Sequence, residues 1–445
     1  MKSPRVQARA SSQERQLLYA ALVLGSLLVV VTCGSRGSHA PALVSSPAAA
    51  SAALPEPAAS VAHSAAVQPE VQGPDAGPDA MGAAQLEAGA ARPQTPLARF
   101  RGALDALRRG ERSSAVRILW LGDSHTAADF WTDTVRQQLW DESPVGGPGF
   151  VYLGLDHYRH SRVAIDVKGD WQRSPSAPST SSKTDDGVFG LGGIRTSPVS
   201  ADASVKLTPR SGSLVGDARW TVWFRMPDGR SSFRVALGSQ ARVVRGKRVG
   251  HVETLKLNGG SAQSLEIRAQ AGRPQLMGAT IESSEPGVVL DTVGINGARV
   301  ATALAWDAEA FVRVVRERAP ELLIMAFGTN EAGANTPVER YRSHFSALLD
   351  RVRRATPDVS CALLGPTDWA RHEARVVAID RLERVVAGEL GCAYFSVYDA
   401  MGGSQSSLRW SQQRPALAAP DLIHLTPKGY AAVGADTARF LLGER

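Results

Sequence analysis

The chain has 445 residues, 43% of them apolar, with 42 glycines and 26 prolines, enough for two or three globular domains. Three cysteines (Cys33, Cys361 and Cys392) exclude a disulfide-stapled scaffold, and no CxxC or HExxH spacing offers a ready-made metal site, so no structural metal is predicted. The formal charge of +7 comes from Lys and Arg interleaved with acids, as in VERYRSHFSALLDRVRR, which describes a solvated helix face and predicts no nucleic-acid partner.

Lys2, Arg5, Arg9 and Arg15 precede an apolar run from Leu17 to Val31, the order of a segment handed to the export machinery. Residues 1–40 therefore read as a signal peptide cut after Ala40 or as a retained membrane anchor. Cys33 resembles a lipoprotein acylation site only loosely, because Thr32 precedes it. Residues 41–96 are rich in Ala, Pro, Ser and Gly and cannot bury enough apolar area to offset their ordering entropy, so a disordered tether is expected. Export places the remaining chain in the periplasm or cell envelope, with anchoring to the inner membrane as one outcome. That setting permits a disulfide between Cys361 and Cys392, and two buried thiols are an equal alternative.

Residues 97–161 and 282–445 form two blocks of one α/β domain. Val116–Leu121 (VRILWL) predicts a buried strand and Ala127–Leu139 a helix. A strand at Gly287–Val293, one at Glu321–Phe327, a helix at about Pro337–Arg354, a strand at Cys361–Leu364, a helix at Arg375–Leu390, a strand around Ala393–Val397 and a last helix at Pro427–Leu442 follow. Continuous apolar strands alternating with amphipathic helices predict a doubly wound, flavodoxin-like parallel sheet. Residues 162–281 differ: short alternating runs such as Trp220–Met226 and Val252–Leu257 are punctuated by Pro-Asp-Gly and Asn-Gly-Gly, which predicts an inserted antiparallel β-sandwich. Trp220 and Trp223 are assigned to one strand face, filling the sandwich core rather than stacking on sugar, and Trp171, in a Ser- and Pro-rich loop, reads as an exposed aromatic or equally as a loop anchor.

Four short segments carry chemistry. Strand VRILWL runs into Gly122-Asp123-Ser124-His125, which sets a serine at the carboxyl end of a parallel strand before a helix, where doubly wound folds place their sites; Asp-Ser is also a common cap. In Asp421-Leu-Ile-His424 the aspartate can fold back to fix the imidazole tautomer, leaving the other nitrogen for a serine proton. Gly328-Thr329-Asn330-Glu331 sets a side-chain amide at the same sheet edge, and Gly294-Ile-Asn-Gly297 offers a backbone N–H. Each segment alone could be a turn or a cap; their order along the chain is the specific signal. His125 reads as packing or substrate contact, and His157 and His160 as surface groups.

These four segments resemble the motif blocks of the SGNH (GDSL) hydrolase superfamily, with His125 where the family usually has leucine and Glu331 where it often has aspartate. Gly122–Trp131, Gly146–Phe150, Gly294–Gly297 and Asp421–Tyr430, with a β insert after the first block, most resemble the bacterial peptidoglycan O-acetylesterases. The resemblance implies Ser124 as nucleophile, His424 as base and Asp421 as its orienting group. It also implies an oxyanion hole of the Ser124 and Gly297 N–H groups and the Asn330 amide. The insert would resemble a carbohydrate-binding module, and no cofactor would be needed. The implied substrate is O-acetylated peptidoglycan or a related glycan; the alternatives are a general esterase or lipase and a non-catalytic glycan-binding scaffold.

Overall fold

The computed structural model describes residues 95–444; the predicted export segment, the tether and Cys33 lie outside the described residues. Five parallel strands form the central sheet: β1 (Val116–Gly122), β2 (Val288–Gly294), β3 (Leu322–Ala326), β4 (Ser360–Leu364) and β5 (Ala393–Phe395), in the order β2-β1-β3-β4-β5. This is the flavodoxin-like order, with the direction of winding reversing at β1. The strands read as unbroken apolar runs because both sheet faces are buried. Leu119 and Leu121 join one apolar cluster while Ile118 and Trp120 join another, as the two-residue period of a strand requires.

Three helices cover each face. On one side α1 (Ala98–Arg108), α3 (Trp131–Glu142) and α9 (Pro427–Leu442) bury Phe100, Leu104, Val135, Leu139 and Val433. On the other, α5 (Ala308–Arg318), α7 (Val338–Arg353) and α8 (Glu373–Leu390) bury Phe311, Phe345, Leu348 and Ile379. The single helix expected at Ala127–Leu139 is two: α2 (Ser124–Ala127) and α3, broken where Asp129 takes φ 51°. Thr132 Oγ1, the Ser161 N–H and the Arg136 guanidinium all donate to the Asp129 carboxylate, and these tertiary bonds offset the backbone strain.

Cys361 and Cys392 form a disulfide. They sit at the amino ends of β4 and β5, the edge of the sheet away from Ser124.

The antiparallel region is two packed sheets. One runs Val252–Gly259, Ala218–Arg225, Gln275–Ser283, Arg195–Pro198, Trp171–Ser174; the other runs Val163–Lys168, Ser204–Pro209, Leu265–Ala271, Ser232–Leu237, Gln240–Arg245. Gly149–Val151, upstream of the expected start of the insert, also pairs with Gln275–Ser283. Trp220 and Trp223 are both buried but on opposite faces, correcting the expectation that they share one. Residues three apart on a strand point to opposite sides. Trp220 fills the sandwich core, while Trp223 packs in the cluster that also holds Leu121, Val293 and Phe311 of the α/β part, its indole N–H donating to Glu317 at 2.8 Å. Trp171 is half-buried against Gly154 and the sandwich rather than free in a loop. A buried ion network seals the return from insert to sheet: Glu282 receives Arg117 at 2.8 Å and Arg318 at 2.6 Å, and Arg318 also donates to Asp291 at 2.8 Å.

Candidate active site

The carboxyl ends of β1, β2 and β3 lie side by side, with Gly122 in register with both Gly294 and Ala326, so the residues that follow these strands converge. Ser124 opens α2, and Asp123 is the cap, its carboxylate accepting the His125 N–H at 3.0 Å. The helix therefore starts at the serine, not two or three residues after it as expected. A Cβ on Gly294 would lie 2.2 Å from the Ala127 nitrogen, so glycine is what lets α2 settle against β2. Gly297 has φ 78°, a left-handed turn that a side chain would strain.

The loop before α9 brings in Asp421 and His424. Asp421 Oδ1 accepts the N–H groups of Ile423 and His424, both at 3.0 Å, which curls the loop so that Oδ2 lies 2.7 Å from His424 Nδ1. A carboxylate only accepts, so the imidazole proton sits on Nδ1, and Nε2, 2.9 Å from Ser124 Oγ, accepts the serine hydroxyl proton. Burial disfavours the charged imidazolium, but the bond to Asp421 outweighs it and the His424 pKa lies above its ordinary value. Burial also opposes charge on Asp421, yet His424 and the two backbone donors hold that carboxyl down at about 2.

The N–H groups of Ser124 and Gly297 find no acceptor among the described residues. Asn330, in α6 (Thr329–Gly333), reaches the same edge, but its Nδ2 donates to Asp123 Oδ2 at 3.2 Å and to the Ala298 carbonyl at 3.0 Å. Both amide protons are committed in this state. Ala298 is the residue after Gly297, so Asn330 also braces the turn that presents the Gly297 N–H.

Several groups that the sequence reading left without a role support this arrangement. Buried Glu331 accepts the N–H groups of Val300 (2.9 Å) and Gly328 (3.1 Å), tying the turns after β2 and β3 together. A glutamate spans that gap, and the departure from the family's aspartate was the signal. Burial pushes the carboxyls of Glu331 and Asp123 each up to about 7. His125 is buried, with Nδ1 3.0 Å from Tyr430 Oη and Nε2 3.3 Å from Thr367 Oγ1, and burial then the His424 charge take its pKa down to about 3. It is a neutral packing group. His160, expected at the surface, is buried beside Asp129, whereas His157 is exposed. Among the described residues no group of three or more His, Cys, Asp or Glu is placed to hold a metal ion.

A doubly wound sheet with a serine, an imidazole and a carboxylate in one hydrogen-bonded line at its switch point defines a class. Residues 259–432 match the GDSL-like Lipase/Acylhydrolase family, a stretch that holds Gly297, Asn330, Asp421 and His424 but not Ser124. Residues 259–432 are thus similar to the GDSL-like lipases and acylhydrolases, and the family match together with the site geometry supports a carboxylic ester hydrolase. A solved peptidoglycan O-acetylesterase shares the fold, with 23% identity, a TM-score of 0.66, and coverage of 77% of this chain and 95% of that one. A family two carbohydrate esterase from Clostridium thermocellum, in complex with cellohexaose, is far more distant, at 11% identity and TM-score 0.25 over 63% of this chain and 99% of that one. A search of curated proteins by sequence found no match.

Proposed function

We propose that the protein removes O-acetyl groups from a cell-wall glycan, with the muramyl 6-O-acetyl group of peptidoglycan as substrate, through a Ser124-His424-Asp421 acyl-enzyme mechanism. The observation that carries the chemistry is the continuous line from Asp421 Oδ2 through His424 to Ser124 Oγ, at 2.7 and 2.9 Å. Supporting the substrate are the shared fold with a peptidoglycan O-acetylesterase and the motif resemblance, which extends through Asp421–Tyr430. The N-terminal charge-then-apolar order supports an exported, envelope location with cleavage or membrane anchoring. The Cys361–Cys392 disulfide suits an oxidising compartment.

In the first half-reaction Ser124 Oγ attacks the acetyl carbonyl carbon as His424 Nε2 takes its proton. The oxyanion receives the Ser124 and Gly297 N–H groups and, once Asn330 releases one of its present partners, the Asn330 amide. Collapse expels the sugar oxygen, which leaves with the proton from His424. Water, deprotonated by His424, then attacks the acetyl-serine, and acetate departs as the serine regains its proton. Asp421 stays ionised throughout and holds the imidazole. Ser124→Ala should abolish turnover of a chromogenic acetate ester while the unfolding transition stays at its wild-type position; near-normal turnover would refute the assignment.

A further inference from the structure

The insert reaches the active site through one loop. Residues 175–187 leave the strand Trp171–Ser174 and lie along α4 (Val300–Leu304), the short helix that follows the Gly297 turn. The Ser179 carbonyl accepts Thr302 Oγ1 at 3.0 Å, and a Cβ built on Gly297 would sit 3.4 Å from that of Ser179. Further along, the Gly187 carbonyl accepts the Asp307 N–H at 2.9 Å, and Arg195 pins the loop's base through Asp186 at 2.5 Å. The loop is thus fastened at both ends beside the oxyanion turn.

Between these fastenings the loop and α4 enclose a groove of about 430 Å³, with Ser181 and Lys183 on one wall and Ala301, Leu304, His344 and Arg351 on the other. Ala301 is four residues on from Gly297, so the groove begins where the oxyanion turn ends. Its charges are not equally available. Arg351 donates to the Ala303, Leu304 and Trp306 carbonyls at 2.8–3.1 Å, closing the end of α4, and Asp307 accepts the Ala310 N–H at 2.8 Å as the cap of α5. Lys183 is exposed and makes no ion pair or hydrogen bond among the described residues. Arg299, two residues beyond Gly297, has a buried Nε without a partner and no carboxylate within ion-pair distance among the described residues. The groove's lining thus carries two cations, Lys183 and Arg351, against the single carboxylate of Asp307, and Arg299 adds a further positive charge beside the turn.

We propose that this groove is a subsite for a carboxylate carried by the glycan, recognised by Lys183 and seated between the insert's loop and α4. The inference rests on the acetylated-glycan reading above and gives the insert a part in choosing the substrate. Two sources present the same chemistry in peptidoglycan: the carboxylates of a stem peptide, and the lactyl carboxylate that amidase treatment uncovers when the peptide is removed.

The test uses the full chain with Lys183→Ala and Lys183→Glu at low ionic strength, on peptide-bearing acetylated peptidoglycan, on the same glycan after amidase treatment, and on a neutral chromogenic acetate ester. An exposed charge contact predicts a KM on the anionic glycan raised about threefold by alanine and about tenfold by glutamate, fading as salt is added. Turnover of the neutral ester should stay unchanged. A rise confined to the peptide-bearing substrate assigns the groove to the peptide, one that appears only after amidase treatment assigns it to the lactyl group, and a rise on both means that the groove takes either carboxylate. Unchanged KM on both glycans, or an equal rise on the neutral ester, overturns the subsite. Failure of the wild-type protein to release acetate from either glycan, with the neutral ester still hydrolysed, overturns the peptidoglycan reading and the subsite with it.

Discussion

Asn330→Ala is the substitution whose effect depends most on details of this geometry. Removing one donor from an oxyanion hole ordinarily costs about 3–4 kcal/mol of transition-state stabilisation. Here the amide already holds Asp123 Oδ2 and the Ala298 carbonyl, so serving an oxyanion means giving up one bond worth about 1 kcal/mol. The net contribution becomes about 2–3 kcal/mol, a fall in kcat of roughly 30- to 150-fold. The variant also strips a partner from buried Asp123, which should cost about 1–3 kcal/mol of stability and raise the Asp123 pKa further. The assay is kcat for a chromogenic acetate ester at pH 8, read beside a denaturant unfolding curve. A folded variant within about threefold of wild type would refute Asn330 as an oxyanion donor and leave it a brace of the Gly297 turn.

Because His424 must be neutral to accept the serine proton, and Asp421 lifts its pKa above the ordinary 6.5, kcat/KM should fall on the acid side with a midpoint above 6.5. Asp421→Asn should move that midpoint to lower pH and reduce kcat by about four orders of magnitude; an unmoved midpoint in the pH profile would contradict the pairing. Replacing Cys361 and Cys392 together by serine should lower stability by about 3–4 kcal/mol for a 31-residue separation, measured by denaturant unfolding. Activity of the folded variant should be unchanged, because the bond lies at the amino edge of the sheet.

The parallel sheet was legible because strands buried on both faces leave continuous apolar runs, and Val116–Leu121 and Leu322–Ala326 contain no polar residue except Arg117 at the start of β1. The Asp421-x-x-His424 turn was legible because its bonds are local in sequence. What escaped depends on distant partners. Nothing in Ala127–Leu139 marks Asp129 as a helix break, since its strain is offset by Ser161 and Arg136. His160 looks like a surface residue until the fold sets it beside Asp129. Trp223 turns outward from the sandwich because an α/β face is there to receive it, so the insert and the catalytic sheet share one apolar cluster. The contact of Ser179 with the Gly297 turn joins residues 118 positions apart, beyond the reach of any periodicity.

The most direct test of the account is acetate release from O-acetylated peptidoglycan sacculi, measured for the wild-type protein and for Ser124→Ala side by side. The account predicts steady release of acetate by the wild type and none above background by the variant. No release by a wild-type protein that hydrolyses other acetate esters, or equal release by both proteins, would contradict it.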